Sequence, residues 1–338
     1  MTPTYSLVVP IYNEEAVIPI LLHRLDKLLG SLDAPGEVIF VDDGSRDTSA
    51  IVLEGKARAD ARYRLLKLSR NFGHQAAITT GMDNAAGRVV IVMDADLQDP
   101  PEVVPEMIAK WKEGYEVVHA ERMSREGEAP FKRMTADLFY RVLGLVSPTP
   151  IPRNVGDFRL IDRKALDCFL AMPERDRFVR GMFAWIGFRQ TAVKFHRPPR
   201  AAGGTKYPLR KMISLAASAL VSFSDAPLRL ALWTGAAVSG VALLYGLIVI
   251  AQWAAGDPSL MRGWSSTIVV IAFLGGANML MTGVIGIYVG RIYAEVKGRP
   301  LYIVERAVGF DDASPRDRLP EASEFASPRP RRAQVRLS

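Results

Sequence analysis

Apolar and polar positions alternate in blocks up to about Ala120. Short β-branched runs fall at Ser6–Val9, Glu37–Val41, Arg64–Leu68, Val89–Met93 and Glu116–His119. Helix-like stretches lie between them, at Ala16–Leu29, Thr48–Ala61, Gln75–Ala86 and Glu102–Lys112. Strands that alternate with helices predict a mostly parallel, doubly wound α/β sheet. In such sheets ligands sit beyond the carboxyl ends of the strands. Three of these strands run into polar clusters, "PIYNEE", "VDDGSRD" and "DADLQDPP", which should therefore meet at one edge.

Beyond this block the pattern changes. Arg122–Arg200 is less regular, with a helix expected over Phe131–Val146 and a strand entering a helix at "GDFRLIDR". From Lys211 to Asp225 the polar residues Lys211, Ser214, Ser218, Ser222 and Asp225 fall on one helical face. Met212, Leu215, Ala216, Ala219, Leu220 and Phe223 fall on the other. That is the pattern of a helix in the membrane interface, and equally of a helix facing a core. Two runs without charge follow, Leu230–Gly256 and Gly263–Gly290. Each exceeds the roughly 20 residues that cross a bilayer as a helix. Basic residues flank the pair at Arg210, Lys211, Arg229, Arg291, Lys297, Arg299 and Arg306, while the link Asp257–Arg262 holds one. The positive-inside rule then puts both long ends in the cytoplasm. "RPLYIVE" reads as a strand that could pair with a neighbouring copy. After Phe310 the chain is rich in Pro, Ser and charge, as disordered segments are.

Composition narrows the picture. The 338 residues are 49% hydrophobic, enough for a core, with a formal net charge of +7. The charge points to an anionic partner: nucleic acid, a phosphorylated ligand or anionic lipid. The single cysteine, Cys168, excludes an internal disulfide. "MTPTYSLVVP" has no basic region ahead of its apolar stretch, so it does not read as a signal peptide.

The chemistry concentrates at "RVVIVMDADLQDPP". Asp94 and Asp96 are two apart and would point the same way if the strand reaches them, with Gln98 continuing the series. Two carboxylates and an amide oxygen suit Mg²⁺ or Mn²⁺ that also takes substrate phosphates. The bland reading is a solvated turn in which Asp99 caps the helix beginning near Pro101. In "VDDGSRD" a carboxylate can accept bonds from a ribose or base, and Ser45 or Asp47 can cap the next helix. The chain has no GxGxxG and no Walker A loop, which disfavours nicotinamide dehydrogenases and P-loop NTPases.

Taken together, "VVPIYNEE", "FVDDGSRDTS", "LSRNFGHQAAITTG", "VMDADLQDPPEVVPEM", "GDFRLIDR" and "RPPRAAGGTKYPLRKM" resemble the family 2 inverting glycosyltransferases that load polyprenyl phosphates. The bactoprenol glucosyl transferase branch is the most similar, with dolichyl-phosphate mannose synthases as cousins. The resemblance runs from about residue 4 to 305 and implies a GT-A-type fold. It implies that Pro10, Tyr12, Glu14 and Asp42 hold the nucleoside. Asp94, Asp96 and Gln98 match the metal and diphosphate site. Arg122, Lys132 and Arg133 lie where the family binds the acceptor phosphate. Arg200 and Lys206 match groups that clamp the donor diphosphate, and Asp157 matches an acidic residue facing the sugar. The "QxxRW" motif of processive synthases is absent.

The implied organisation is a cytoplasmic transferase domain over 1–205 and an interfacial helix over 206–227. Two transmembrane helices follow within 228–290, at about 230–254 and 265–290. A strand-like segment over 291–310 and a disordered tail over 311–338 complete the chain. The implied partners are a UDP-sugar, undecaprenyl phosphate and membrane lipid, without nucleic acid, in a plasma-membrane protein that could be a homo-oligomer. The acceptor phosphate is largely dianionic at neutral pH and needs little help from a base. It needs cations that bring two anions together and neutralise the leaving diphosphate. Other donors (GDP-mannose, an N-acetylhexosamine, amino-arabinose) and a non-catalytic nucleotide-binding anchor remain open at this point.

Overall fold

The computed structural model describes residues 3–123, 155–175, 177–196, 226–255 and 264–310. Its elements begin with β1 (Tyr5–Ile11), α1 (Ile18–Ser31), β2 (Gly36–Asp42), α2 (Ser49–Ala59), β3 (Tyr63–Leu68), α3 (His74–Asn84) and β4 (Val89–Val92). A short 3-10 turn (Pro101–Val103), α4 (Val104–Lys112), β5 (Val117–Arg122), β6 (Val155–Asp162), α5 (Arg163–Leu170), α6 (Val179–Trp185) and β7 (Gln190–Phe195) follow. Then come α7 (Ala226–Ala254), α8 (Trp264–Val296) and β8 (Val304–Val308). The described residues up to His196, with those from Gly298 on, form one compact unit; α7 and α8 form a second.

The eight-stranded sheet has the order β7-β5-β6-β4-β1-β2-β3-β8. β4, β1, β2 and β3 are parallel neighbours, as the alternation predicts. The chain moves outward from β1 through β2 to β3, then returns to place β4 on the other side of β1. The switch point therefore lies between the ends of β1 and β4, where open α/β sheets take their ligands. β6 inserts antiparallel to both β4 and β5, and β7 runs parallel to β5.

Burial on both faces explains the apolar strands. Every residue of β1 is buried. Leu7, Val9 and Ile11 join one core with Ile18, Leu21 and Leu25 of α1 and Val104, Met107 and Ile108 of α4. On the opposite face α3 lies very close to the sheet. A Cβ at Gly81 would come within 2.2 Å of Val8 Cγ1.

Several expectations are corrected. β4 stops at Val92, so Asp94 and Asp96 lie in a turn rather than on the strand, and Leu97 adopts a left-handed φ of 60°. Even so, Asp94, Asp96 and Gln98 stay half-open while Ala95, Leu97 and Asp99 are buried, so the alternation of exposure persists. Asp99 caps nothing: the turn at Pro101 has no side-chain cap. The "RPLYIVE" strand falls later than expected, with only Val304 and Glu305 of that segment inside β8. β8 pairs antiparallel with β3 of its own chain and covers that edge. α6 and β7 were not legible in the irregular middle section.

Among the described residues, Phe273–Val296 of α8 is long and apolar enough to cross a membrane. In α7 the corresponding apolar stretch is the shorter Ala231–Tyr245. The two expected spans thus appear as helices, with membrane length established for one. The expected helix at 131–146, the expected helix at 206–227 up to residue 225, and the tail from 311 lie outside the described residues.

The two kinds of glycine separate by sign. Gly81→Ala should destabilise by about 1–3 kcal/mol, because Val8 sits mid-strand with no room to yield. Gly55→Ala, on exposed α2 with open space around it, should stabilise by about 0.5–1 kcal/mol. Denaturant unfolding of both variants checks the pair.

Candidate active site

The site rises from the carboxyl ends of β1, β2 and β4. Asp42 ends β2, level with Ile11 at the end of β1, and Pro10 lies one residue before it, level with Val41. The following loops clasp one another. Asn13 Oδ1 accepts from Arg46 N–H at 2.8 Å, and the N–H groups of Asn13 and Glu14 donate to Ser45 Oγ and Ser49 Oγ, both at 3.0 Å. Asp47 accepts from Ser49 N–H at 3.0 Å but is not the cap: the N-cap of α2 is Thr48, whose side chain makes no capping bond. Asp42 is fully buried and accepts from Ser45 N–H at 3.2 Å. Tyr12 is exposed beside it.

Asp43 was not singled out from the sequence. It is buried and accepts from Phe72 N–H at 2.7 Å and Gly73 N–H at 3.0 Å. This fixes the loop that starts α3, where Gly73 takes a φ of 100°. His74 and Gln75 thereby stand at the site.

On the other side of the switch point, register decides the geometry. Val92 is level with Arg159 across the antiparallel β4–β6 pair. Just past the end of β4, Asp94 comes close to Asp157, the residue two before Arg159 on β6. His74 Nε2 lies between them, 3.3 Å from Asp157 Oδ2 and 3.5 Å from Asp94 Oδ1. Gln75 Nε2 donates to Asp157 Oδ2 at 3.1 Å. The Arg159 guanidinium, fully buried, donates to Asp157 Oδ1 at 3.1 Å, with Arg180 at 3.9 Å from the same oxygen. Asp99 accepts from Asp94 N–H at 3.2 Å and faces Arg122 at 3.8 Å through its other oxygen. Arg122 comes so near β6 that a Cβ on Gly156 would meet its Nη2 at 2.8 Å.

Crowded carboxylates set the electrostatics. Desolvation pushes Asp94 up, His74 opposes it, and Asp157 and Asp96 add to it. Asp99 is pushed up to about 7 by burial and by Asp94, against the pull of Arg122. Asp157 goes the other way. Burial would raise it, but the His74 hydrogen bond and the charges of Arg159 and Arg180 hold it well below the usual carboxylate range. His74 loses affinity for its proton by desolvation, yet Asp157, Asp94 and Asp99 more than offset this and raise it to about 9. Its ring is partly open to solvent, which tempers those charges.

Lys132, Arg133, Arg200 and Lys206 lie outside the described residues. Of the other expected residues, Asp94, Asp96, Gln98, Arg122 and Asp157 gather around the end of β4, and Pro10, Tyr12, Glu14 and Asp42 around the ends of β1 and β2. His74, Gln75, Arg159 and Arg180 are site residues that the sequence reading does not single out, and Asp99 joins them in a role other than a cap, although "NFGHQ" and "GDFRL" hold three of the five. Among the described residues no three His, Cys, Asp or Glu groups form a complete metal cage. Asp94 and Asp96 are nevertheless half-open hard-oxygen donors in a carboxylate-rich place, and a Mg²⁺-type ion commonly takes one or two carboxylates and finds its other ligands in phosphate and water. The residues present fit such an ion.

The His74–Asp157 contact gives a direct test. Asp157→Asn removes the anion that favours the imidazolium, so without metal the His74 titration should fall from about 9 toward 6.5. The pH dependence of its ring proton resonances checks this; an unmoved midpoint would mean Asp157 does not set it.

Comparison with known proteins agrees with this architecture. The profile of glycosyl transferase family 2 matches residues 6–170. A Bacillus subtilis protein described as uncharacterized glycosyltransferase YkcC is 49% identical over 91% of this chain and 95% of its own. The SfII prophage-derived bactoprenol glucosyl transferase of Shigella flexneri is 39% identical over 89% of this chain and 97% of its own. Among solved structures, a mannosyltransferase from Pyrobaculum calidifontis in complex with GDP-Man and Mn²⁺ aligns over 87% of this chain and 88% of its own, at 18% identity and a TM-score of 0.42. The protein is a glycosyltransferase, and the chain belongs to glycosyl transferase family 2.

Proposed function

We propose that this glycosyltransferase moves one sugar, glucose as the first expectation, from a UDP-sugar to undecaprenyl phosphate at the cytoplasmic face of the membrane. One observation carries the reading. A half-open carboxylate pair at the sheet's switch point stands beside Asp157, in a chain that also holds an apolar helix of membrane length. The names of relatives at 38–39% identity, bactoprenol glucosyl transferases, support the acceptor and the sugar.

In this reading the β1 and β2 ends with Tyr12, Glu14 and Asp42 receive the nucleoside. Asp94, Asp96 and Gln98 would hold Mg²⁺ or Mn²⁺, whose chemistry is to neutralise the diphosphate. Asp157, kept anionic by its neighbours, faces the sugar, where it steadies a hydroxyl or the positive charge that develops at the anomeric carbon. The acceptor phosphate, already dianionic, attacks without a strong base. Arg122, Lys132 and Arg133 bring it in, and Arg200 and Lys206 clamp the departing diphosphate. α7 and α8 span the membrane twice with both termini cytoplasmic, since the basic residues flank the pair.

Purified protein with undecaprenyl phosphate, Mg²⁺ or Mn²⁺ and a panel of donors tests the reaction by mass spectrometry of the lipid. UDP-glucose should give a hexosyl product. Turnover of GDP-mannose alone would move the protein to the mannose branch. Asp94→Asn and Asp96→Asn should each lower turnover about a hundred- to thousandfold with the fold intact. Full activity in EDTA, or in either variant, would remove the metal role. A reporter fused after Ser338 should be active on the cytoplasmic side.

A further inference from the structure

β6 places Asp157 and Arg159 on the same side of the strand, two residues apart. Phe158 between them points into the core on the opposite side. Arg159 is wholly buried, with its guanidinium 5.2 Å from the centre of the Phe183 ring. Its bonds all turn back on its own strand. Nη2 donates to Gly156 O at 3.0 Å and to Asp157 Oδ1 at 3.1 Å, and Nε donates to Asp157 O at 3.3 Å. Burying a guanidinium is expensive, and an apolar residue of similar volume often serves stability as well or better. A charge retained here therefore calls for a reason beyond packing.

Gln75 supplies a second, independent hold. Its Nε2 donates to Asp157 Oδ2 at 3.1 Å, while its Oε1 accepts from Val179 N–H at 3.3 Å, the first residue of α6. The side chain is thus fixed at both ends before it touches the carboxylate. The Asp157 carboxylate is gripped at Oδ1 from β6 and at Oδ2 from α3. Rotation about its Cβ–Cγ bond would break both bonds at once.

We propose that Arg159 and Gln75 are positioning residues, which lock the Asp157 carboxylate in the one orientation that faces Asp94 across the site. Neither touches substrate; both act through Asp157. This rests on the sugar-transfer reading for its kinetic consequence, and on geometry alone for its structural one. A carboxylate so held serves as a fixed anion. It is poorly suited to a step that needs it to swing and carry a proton away.

The test is a double-mutant cycle in the purified full chain, with Arg159→Met and Asp157→Asn. Arg159→Met should leave the KM for the donor and the affinity for UDP with Mn²⁺ near wild type. It should lower kcat about 10–100-fold, the range typical when a supporting hydrogen bond to a site group is removed. In the Asp157→Asn background the same substitution should cause little further loss. Arg159→Lys, which keeps the charge, should recover part of the activity. A merely structural Arg159 would instead lower activity by the same factor in both backgrounds, or raise KM and weaken nucleotide binding together. Either result overturns the proposal. If Arg159→Met does not fold, Gln75→Leu takes its place in the cycle with the same expectations. Should the wild type transfer sugar from no donor, the sugar-transfer reading fails by itself. The positioning proposal is then decided by a crystal structure of Arg159→Met or Gln75→Leu: a rotated Asp157 carboxylate supports it, and an unmoved one overturns it.

Discussion

Like charges at close range are the constraint on which this architecture depends. Asp94, Asp96, Asp99 and Asp157 converge at the end of one short strand, and no fold can hold such a group without answering its repulsion. The answer is local and specific. Arg122 faces Asp99, His74 stands between Asp94 and Asp157, and Arg159 and Arg180 back Asp157. Asp99 also retains a proton up to about pH 7, which lowers the repulsion further. The result is asymmetric. Asp157 stays firmly anionic while Asp94 is pushed toward protonation, so the site presents one carboxylate already satisfied and one that seeks a cation.

Much of the sheet exists to make that asymmetry possible. The reversal of strand order at β4 opens the cleft, and the antiparallel insertion of β6 beside β4 brings Asp157 close to Asp94 around His74. A parallel strand in the same place would have carried Asp157 to a different height. The β1–β2 loop clasp and the Asp43 hold on the β3–α3 loop do the same work on the other side, because buried backbone N–H groups must find acceptors. Both devices convert irregular chain into a rigid rim. β8 completes the sheet, and Tyr302 just before it donates to Asp83 at 2.6 Å at the far end of α3. The helix that presents His74 and Gln75 is thus held at its front by Asp43 and at its back by a residue from beyond α8.

The parallel half of the fold was legible in the sequence because its signals are local. Continuous apolar, β-branched runs and the acidic strand ends that follow them all lie within a few residues of one another. The site residues that were missed have the opposite character. His74 and Arg159 acquire meaning only from a register between strands some 70 residues apart, and a lone histidine in "FGHQ" looks like any other. α6 and β7 have weak periodicity and are shaped by packing against β5 and β6. β8 reads as a free edge until its partner, more than 200 residues earlier, is known. The alternation expected over Asp94, Asp96 and Gln98 rests on a strand that ends at Val92, and alternating exposure persists there through a turn with left-handed Leu97.

Charge balance also bears on how a donor and an acceptor could be accommodated together. In the described cluster Arg122 faces Asp99, His74 stands between Asp94 and Asp157, Arg180 stands near Asp157, and Arg159 with its desolvated guanidinium is committed to Asp157. Little positive charge is left over for a nucleoside diphosphate, and less for a second phosphate beside it. Bringing both anions to this place requires cations from outside the cluster. Two sources are consistent with the chain: a divalent ion on the half-open pair Asp94 and Asp96, and the basic residues Lys132, Arg133, Arg200 and Lys206, which the sequence sets in the two segments flanking β6 and β7. The same arithmetic explains why neither source alone would serve. In the proposed reaction, an ion on Asp94 and Asp96 would neutralise the diphosphate but would do nothing for the acceptor phosphate. Basic side chains can meet that acceptor, yet without the ion they would face a departing diphosphate whose charge they share. In the proposed reaction the acidic cluster and the basic segments are therefore two halves of one electrostatic requirement.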